Sequence, residues 1–282
     1  MTRPTALRPR SPRRRFAAAA AVAILLTVLA VVRAPGTLAH GSGHEPAKPT
    51  VVLVHGDWAD ASGWSGVIKR LQDNGYPVVA PPNPLRSLSG DAAYVRAFLD
   101  TISGPIVLVA HSYGGAVITN AATGDPNVRA LVYVDAFVPD QGQTTLELAG
   151  PDSALSADPT TIFNFVPATL PPTLSTDLYL KTSTFLTDFA NGLPESEARI
   201  LAATQRPATL AQAEPSGVPA WRTIRSWALI GTQDHIIPPA AEQAMAQHAG
   251  ATISYFDEGH LGFIADPKTV TRLIERAARA TT

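Results

Sequence analysis

Six short apolar runs, separated by stretches of helix length, leave this chain little choice of fold. TVVLVHG from Thr50, YPVVAPP from Tyr76, PIVLVA from Pro105, VRALVYVDAF from Val128, SWALIGT from Ser226 and ATISYF from Ala251 are rich in β-branched residues. Their apolar residues run continuously, which marks strands buried on both faces. Between them, 62–74, 91–102, 112–123, 239–248 and 266–280 read as helices; in the second, Tyr94, Val95, Phe98, Leu99 and Ile102 form one apolar stripe. Strands alternating with helices give an α/β fold: a mostly parallel six-stranded sheet with helices on both faces. The alternation breaks between about 139 and 222, a stretch rich in Pro, Thr, Ser and Asp. TSTFLTDFANGL and PESEARILAAT look helical within it, so a mostly helical cap inserted into a single domain over 50–282 is expected.

The chain begins differently. Residues 1–15 carry six arginines and no acid; 16–32, FAAAAAVAILLTVLAVV, are unbroken apolar sequence; Thr37-Leu38-Ala39 is a small-residue exit. This is the pattern of a secretory signal over 1–39, followed by a polar linker over 40–49. Arg13-Arg14-Arg15-Phe16 also fits a twin-arginine signal. Seventeen apolar residues lie at the short edge of what spans a bilayer, so an uncleaved membrane anchor is the competing reading. Cleavage after Ala39 removes seven of the 22 basic residues and none of the 23 acidic ones, leaving a formal charge of −8. A domain of that sign lacks the basic side chains that nucleic-acid binding draws on. With no cysteine there is no disulfide, and stability rests on a packed core.

In open parallel sheets ligands bind beyond the carboxyl ends of the strands. Here those ends carry His55-Gly56-Asp57-Trp58, His111-Ser112-Tyr113, Asp135, Asp234-His235 and Glu258-Gly259-His260. Packing a sheet requires none of these. A serine hydroxyl becomes a nucleophile when a histidine, itself oriented by a carboxylate, takes its proton. Ser112, Asp234 and His260 offer that set in the order Ser…Asp…His. Each has a plainer reading: Ser112 as a helix cap, His260 as a structural histidine, Asp234 displaced as the acid by Asp135. His55 is expected to brace its turn. The pairs His40/His44 and Asp234/His235 have no third ligand at metal-site spacing, so no metal and no cofactor is expected.

AHSYGG, HGDWADASGW, GTQDHIIP and EGHLGF together resemble the α/β-hydrolase family, from about Thr50 to the C-terminus. The likeness is to its small esterase, hydroxynitrile-lyase and cofactor-free haloperoxidase branches. The resemblance implies an α/β-hydrolase fold lacking the first two strands of the full sheet. It makes Ser112 the nucleophile in a strained elbow, His260 the base and Asp234 its acid, with Asp135 the position used by some relatives. It also implies an oxyanion hole from the backbone N–H groups of Asp57 and Tyr113. Ala110 stands where the family's Gly-x-Ser-x-Gly pattern has its first glycine, a departure of one methyl. Asp57 would oppose an oxyanion if its carboxylate pointed inward, so it is expected to point away and cap the following turn.

Ser112 argues against the dehalogenases and epoxide hydrolases of this fold, which place aspartate there, and Leu261 after His260 argues against cyanohydrin chemistry. The resemblance therefore implies a serine esterase; the signal over 1–39 makes a secreted one expected, and the aromatic residues Trp58, Phe163 and Phe165 are expected to line an apolar pocket for small to medium uncharged esters. The competing readings are a cofactor-free perhydrolase or haloperoxidase using the same three residues, and a scaffold kept for binding alone. The expected partner is a small-molecule ester; no nucleic acid, and no stable membrane insertion once the signal is cleaved.

Overall fold

The computed structural model describes residues 47–281. The signal sequence over 1–39, the twin-arginine motif, His40/His44 and most of the 40–49 linker lie outside the described residues. Nine strands follow in chain order: β1 Thr50–Val54, β2 Val78–Val79, β3 Ile106–Ser112, β4 Val128–Ala136, β5 Phe163–Val166, β6 Asp177–Leu180, β7 Ala208–Thr209, β8 Ser226–Gly231 and β9 Thr252–Phe256. Six of them form one sheet in the order β2-β1-β3-β4-β8-β9, every neighbouring pair parallel. The sheet is that read from the six apolar runs, with shorter edges. β2 keeps two residues of YPVVAPP because Pro77, Pro81 and Pro82 have no N–H to give a ladder.

β1, β3, β4 and β8 are buried almost without interruption, as continuous apolar sequence demands when helices cover both faces. The Gly114–Ala121 helix is apolar nearly all round and sits wholly in the core. The Pro267–Arg279 helix shows the opposite pattern. Asp266 caps its first turn, Pro267 starts it, and Val270, Leu273, Ile274, Ala277 and Ala278 form its one buried stripe. The expected 91–102 helix runs instead over Leu88–Leu99, because Ser87 caps the N–H of Gly90 three residues earlier than the apolar stripe suggests. Val95 and Leu99 are buried as expected, Tyr94 is exposed, and Asp91 is buried in their company.

The insertion between β4 and β8 differs from the helical cap expected. It holds the Glu195–Thr204 helix and several short helical turns, but its centre is an antiparallel sheet in the order β5-β6-β7. FNFV and DLYL are too short to declare a strand period, and the proline-rich stretch between them hides their pairing. Among the described residues no helix is long and apolar enough to cross a membrane.

Candidate active site

The end of β3 is under backbone strain. Ser112 has φ +53°, a left-handed conformation that costs a non-glycine residue energy and is held only by its surroundings. Two close approaches hold it. A Cβ on Gly56 would stand 2.6 Å from the Ser112 Cβ, and one on Gly115 would stand 2.2 Å from the Phe137 carbonyl oxygen. The β1 turn is therefore pressed against the serine itself, and the β4 end against the first turn of the helix that follows it. Ala110 lies inside β3, paired to Val54 and Tyr133, where its methyl is simply part of the core. The departure from the glycine pattern is absorbed there.

The hydroxyl of Ser112 lies 2.9 Å from His260 Nε2, and His260 Nδ1 lies 2.7 Å from Asp234 Oδ2. Three residues remote in sequence thus form one buried hydrogen-bonded series. Each is held from behind. Asp234 Oδ1 accepts the N–H groups of Ile236 at 2.7 Å and Ile237 at 2.9 Å. The carbonyl of His260 accepts from His111 Nε2 at 2.8 Å, which fixes the His111 tautomer; burial holds that imidazole neutral by pushing its pKa well below the usual value. His55 braces its turn as expected. Its Nε2 accepts the Asn83 N–H, so its Nδ1 donates to the Gly56 carbonyl, and burial lowers its pKa to about 4. His235 is half exposed and faces Asp188 at 3.4 Å, away from this series.

Gly56 brings the Asp57 backbone beside the serine. The N–H groups of Asp57 and Tyr113 make no hydrogen bond to a described residue. Two unspent donors flank one hydroxyl, the arrangement that can receive a developing oxyanion. The side chain of Asp57 does not cap the following turn; Asp60 does that, accepting from Ser62. Asp57 Oδ1 instead accepts Gln212 Nε2 from the cap at 2.7 Å. Burial, aided by the charge of Asp91, raises its pKa to about 7 against the opposing pull of Gln212. Trp58 makes a second tie, donating from Nε1 to the Leu178 carbonyl at 2.9 Å.

A pocket of about 150 Å³ opens between this turn and the cap. Asp57, Trp58, Phe137, Leu155, Phe163 and Leu178 are among its lining residues. Phe163 stacks on Trp58 at 5.8 Å. Phe165, expected at the pocket, instead packs its edge on Phe163 at 6.4 Å and is not part of the lining.

Asp135 does not touch His260. It too has a left-handed backbone, φ +45°, and its Oδ1 accepts the Gly231 N–H at 2.6 Å. It stands behind Asp234 with Glu242, a residue the sequence did not flag; carboxyl oxygens of all three lie within 4.8 Å of one another. Three carboxylates this close and this dry cannot all be ionised. Burial, together with the charge of Asp234, lifts the pKa of Asp135 well above the carboxylate range, and burial with the charges of Asp135 and Asp234 does the same to Glu242. Asp135 Oδ2 and Glu242 Oε1 have no hydrogen-bond partner among the described residues. An unfolded aspartate ionises near pH 4, so above that pH the folded state holds a proton the unfolded chain has lost, and stability falls as pH rises. Asp135→Asn removes that liability. Its melting temperature relative to wild type is expected to climb as pH rises above about 4; a difference independent of pH would show that Asp135 is ionised in the folded protein.

The sequence profile of the alpha/beta hydrolase family matches residues 51–273. Over 110 residues the chain is 34% identical to the carbendazim hydrolyzing esterase of Nocardioides sp. (strain SG-4G), a match covering 34% of this chain and 46% of that protein. The chain thus spans about half the length of the first curated relatives it matches. A longer match, 25% identical over 252 residues, is to the alpha/beta hydrolase nvfD of Aspergillus novofumigatus (strain IBT 16806), covering 82% of this chain and 97% of that one. Among solved structures, polyneuridine aldehyde esterase superposes with a TM-score of 0.69 at 18% identity, covering 81% of this chain and 98% of its own. An extracellular alpha/beta-hydrolase from a Paenibacillus species does so with a TM-score of 0.69 at 22% identity, covering 82% and 99%.

Proposed function

Since the chain belongs to the alpha/beta hydrolase family, we propose that it is a serine esterase that cleaves small to medium uncharged carboxylic esters through an acyl-enzyme on Ser112. One observation carries this reading: the buried series from Ser112 through His260 to Asp234, at 2.9 and 2.7 Å, beside two unspent backbone donors. His260 takes the Ser112 proton through Nε2 as the oxygen attacks the ester carbonyl. Asp234, accepting the Nδ1 proton, keeps Nε2 free to accept and stabilises the imidazolium. The N–H groups of Asp57 and Tyr113 receive the oxyanion. His260 then gives its proton to the departing alkoxide, and a water repeats the sequence to release the acid. Esterases among the relatives and structural neighbours support the reaction class. The basic and apolar start of the chain supports export, with 40–282 as the mature enzyme.

The test is a p-nitrophenyl ester series from acetate to dodecanoate, run beside labelling by a fluorophosphonate probe. Activity is expected to peak at short or medium chains, since the pocket holds about 150 Å³, and peptide mapping is expected to find the label on Ser112. Folded protein that hydrolyses no ester and takes no label would overturn the proposal.

A further inference from the structure

The pocket between the oxyanion turn and the cap is apolar along most of its wall: Trp58, Phe137, Leu146, Leu155, Phe163 and Leu178 all face it. Asp57 is the one titratable side chain among its lining residues. A carboxyl there is costly, since desolvation without full pairing penalises the group. It is also held in one pose. Gln212 Oε1 accepts the Thr209 N–H at 2.6 Å, which fixes the amide so that Nε2 points at Asp57 Oδ1, 2.7 Å away. Asp57 Oδ2 has no partner among the described residues, yet it is not one of the sealed, unpaired oxygens of the interior. It is therefore the oxygen turned to the open pocket. A clamped acceptor in an apolar pocket, on the residue whose N–H would receive the oxyanion, is placed to read the substrate.

Resting on the esterase reading, we propose that Asp57 determines specificity: its pocket-facing oxygen accepts a hydrogen bond from an N–H or O–H on the substrate, so the esters this site is built for carry a donor near the scissile bond. Such a site discriminates by penalty as well as attraction. An ester with no donor leaves the Asp57 oxygen desolvated and unpaired once it fills the pocket, whereas a donor-bearing ester of the same shape restores the lost bond.

Two matched pairs test this, one for each side of the ester. On the acyl side, p-nitrophenyl 3-acetamidopropanoate is compared with p-nitrophenyl 5-oxohexanoate, in which CH2 replaces N–H. On the alcohol side, the butyrate ester of N-acetylethanolamine is compared with that of 5-hydroxypentan-2-one. At a pH well above 7, where Asp57 is ionised, the wild type is expected in at least one pair to favour the donor ester in kcat/KM by roughly ten- to a hundredfold, the worth of a hydrogen bond to a charged group. Asp57→Asn should cancel or invert the preference. Its side-chain oxygen still suits Gln212 Nε2, so its NH2 replaces the acceptor facing the pocket. A merely structural Asp57 would lower both members of a pair alike. Ser112-dependent hydrolysis with no preference in either pair would overturn this inference and leave the esterase reading standing. An unchanged preference in Asp57→Asn would overturn it equally. Hydrolysis of none of the four by protein that cleaves p-nitrophenyl butyrate would overturn this inference alone; protein that cleaves no ester and takes no fluorophosphonate label would overturn both.

Discussion

Ser112→Ala is expected to lower kcat for p-nitrophenyl esters by about 10⁴- to 10⁶-fold, with a melting temperature within a few degrees of wild type. The size follows from what the substitution removes. The backbone at 112 has φ +53°, with Gly56 packed against it and Gly115 seating the following helix on the β4 end, and alanine tolerates that angle no worse than serine. One hydroxyl is lost and His260 Nε2 loses its partner, while the Asp57 and Tyr113 donors stay in position. What remains is binding and polarisation of the ester without covalent catalysis. Steady-state kinetics and thermal melts on both proteins decide the matter; a variant within tenfold of wild type would remove Ser112 from the chemistry.

Asp234→Asn is expected to cost about 10⁴-fold in kcat, whereas Asp135→Asn should stay within about tenfold of wild type. The contrast is set by the backbone. Two N–H groups, from Ile236 and Ile237, point at Asp234 Oδ1 and demand an oxygen there. The introduced amide must therefore turn its NH2 toward His260 Nδ1. That makes Nδ1 an acceptor, moves the ring proton to Nε2, and aims a donor at the oxygen whose proton His260 should take. Burial and the charge of Asp234 favour the neutral form of Asp135, so a neutral amide of the same shape is expected to change little. The reverse result, collapse in Asp135→Asn and survival in Asp234→Asn, would transfer the acid's role to the earlier strand.

Much of this was legible in the sequence because of where reactive residues stand on the sheet. A continuous β-branched run that ends abruptly on His-Ser, Asp or Gly-His declares both the strand and the exposed rim, which put Ser112, Asp234 and His260 among the candidates with Asp135 beside them; their roles came from the family resemblance. Glu242 was not readable. It sits in the first turn of the Pro239–His248 helix, where an acid ordinarily faces solvent and complements the helix dipole, and only the fold carries it behind Asp234. Asp91 escaped notice for the same reason: among the polar residues of an amphipathic helix nothing marks the one that accepts the Tyr113 hydroxyl in the interior. Gln212 lies in a short turn of the cap, and its bond to Asp57 joins positions 155 residues apart. The cap's small sheet was hidden because pairing between four-residue strands is decided by tertiary packing, not by local pattern.

The two bonds that join the HGDW turn to the cap, Gln212 to Asp57 and Trp58 to Leu178, make the reaction centre a two-part assembly. Ser112 keeps only 2% of its surface beneath that assembly. Under the esterase reading, a cap that parted from the turn to admit an ester would pull on the residue that offers one of the two oxyanion donors. Entry and activation would then compete, and a guest too bulky to let the two parts rejoin would be held without reacting.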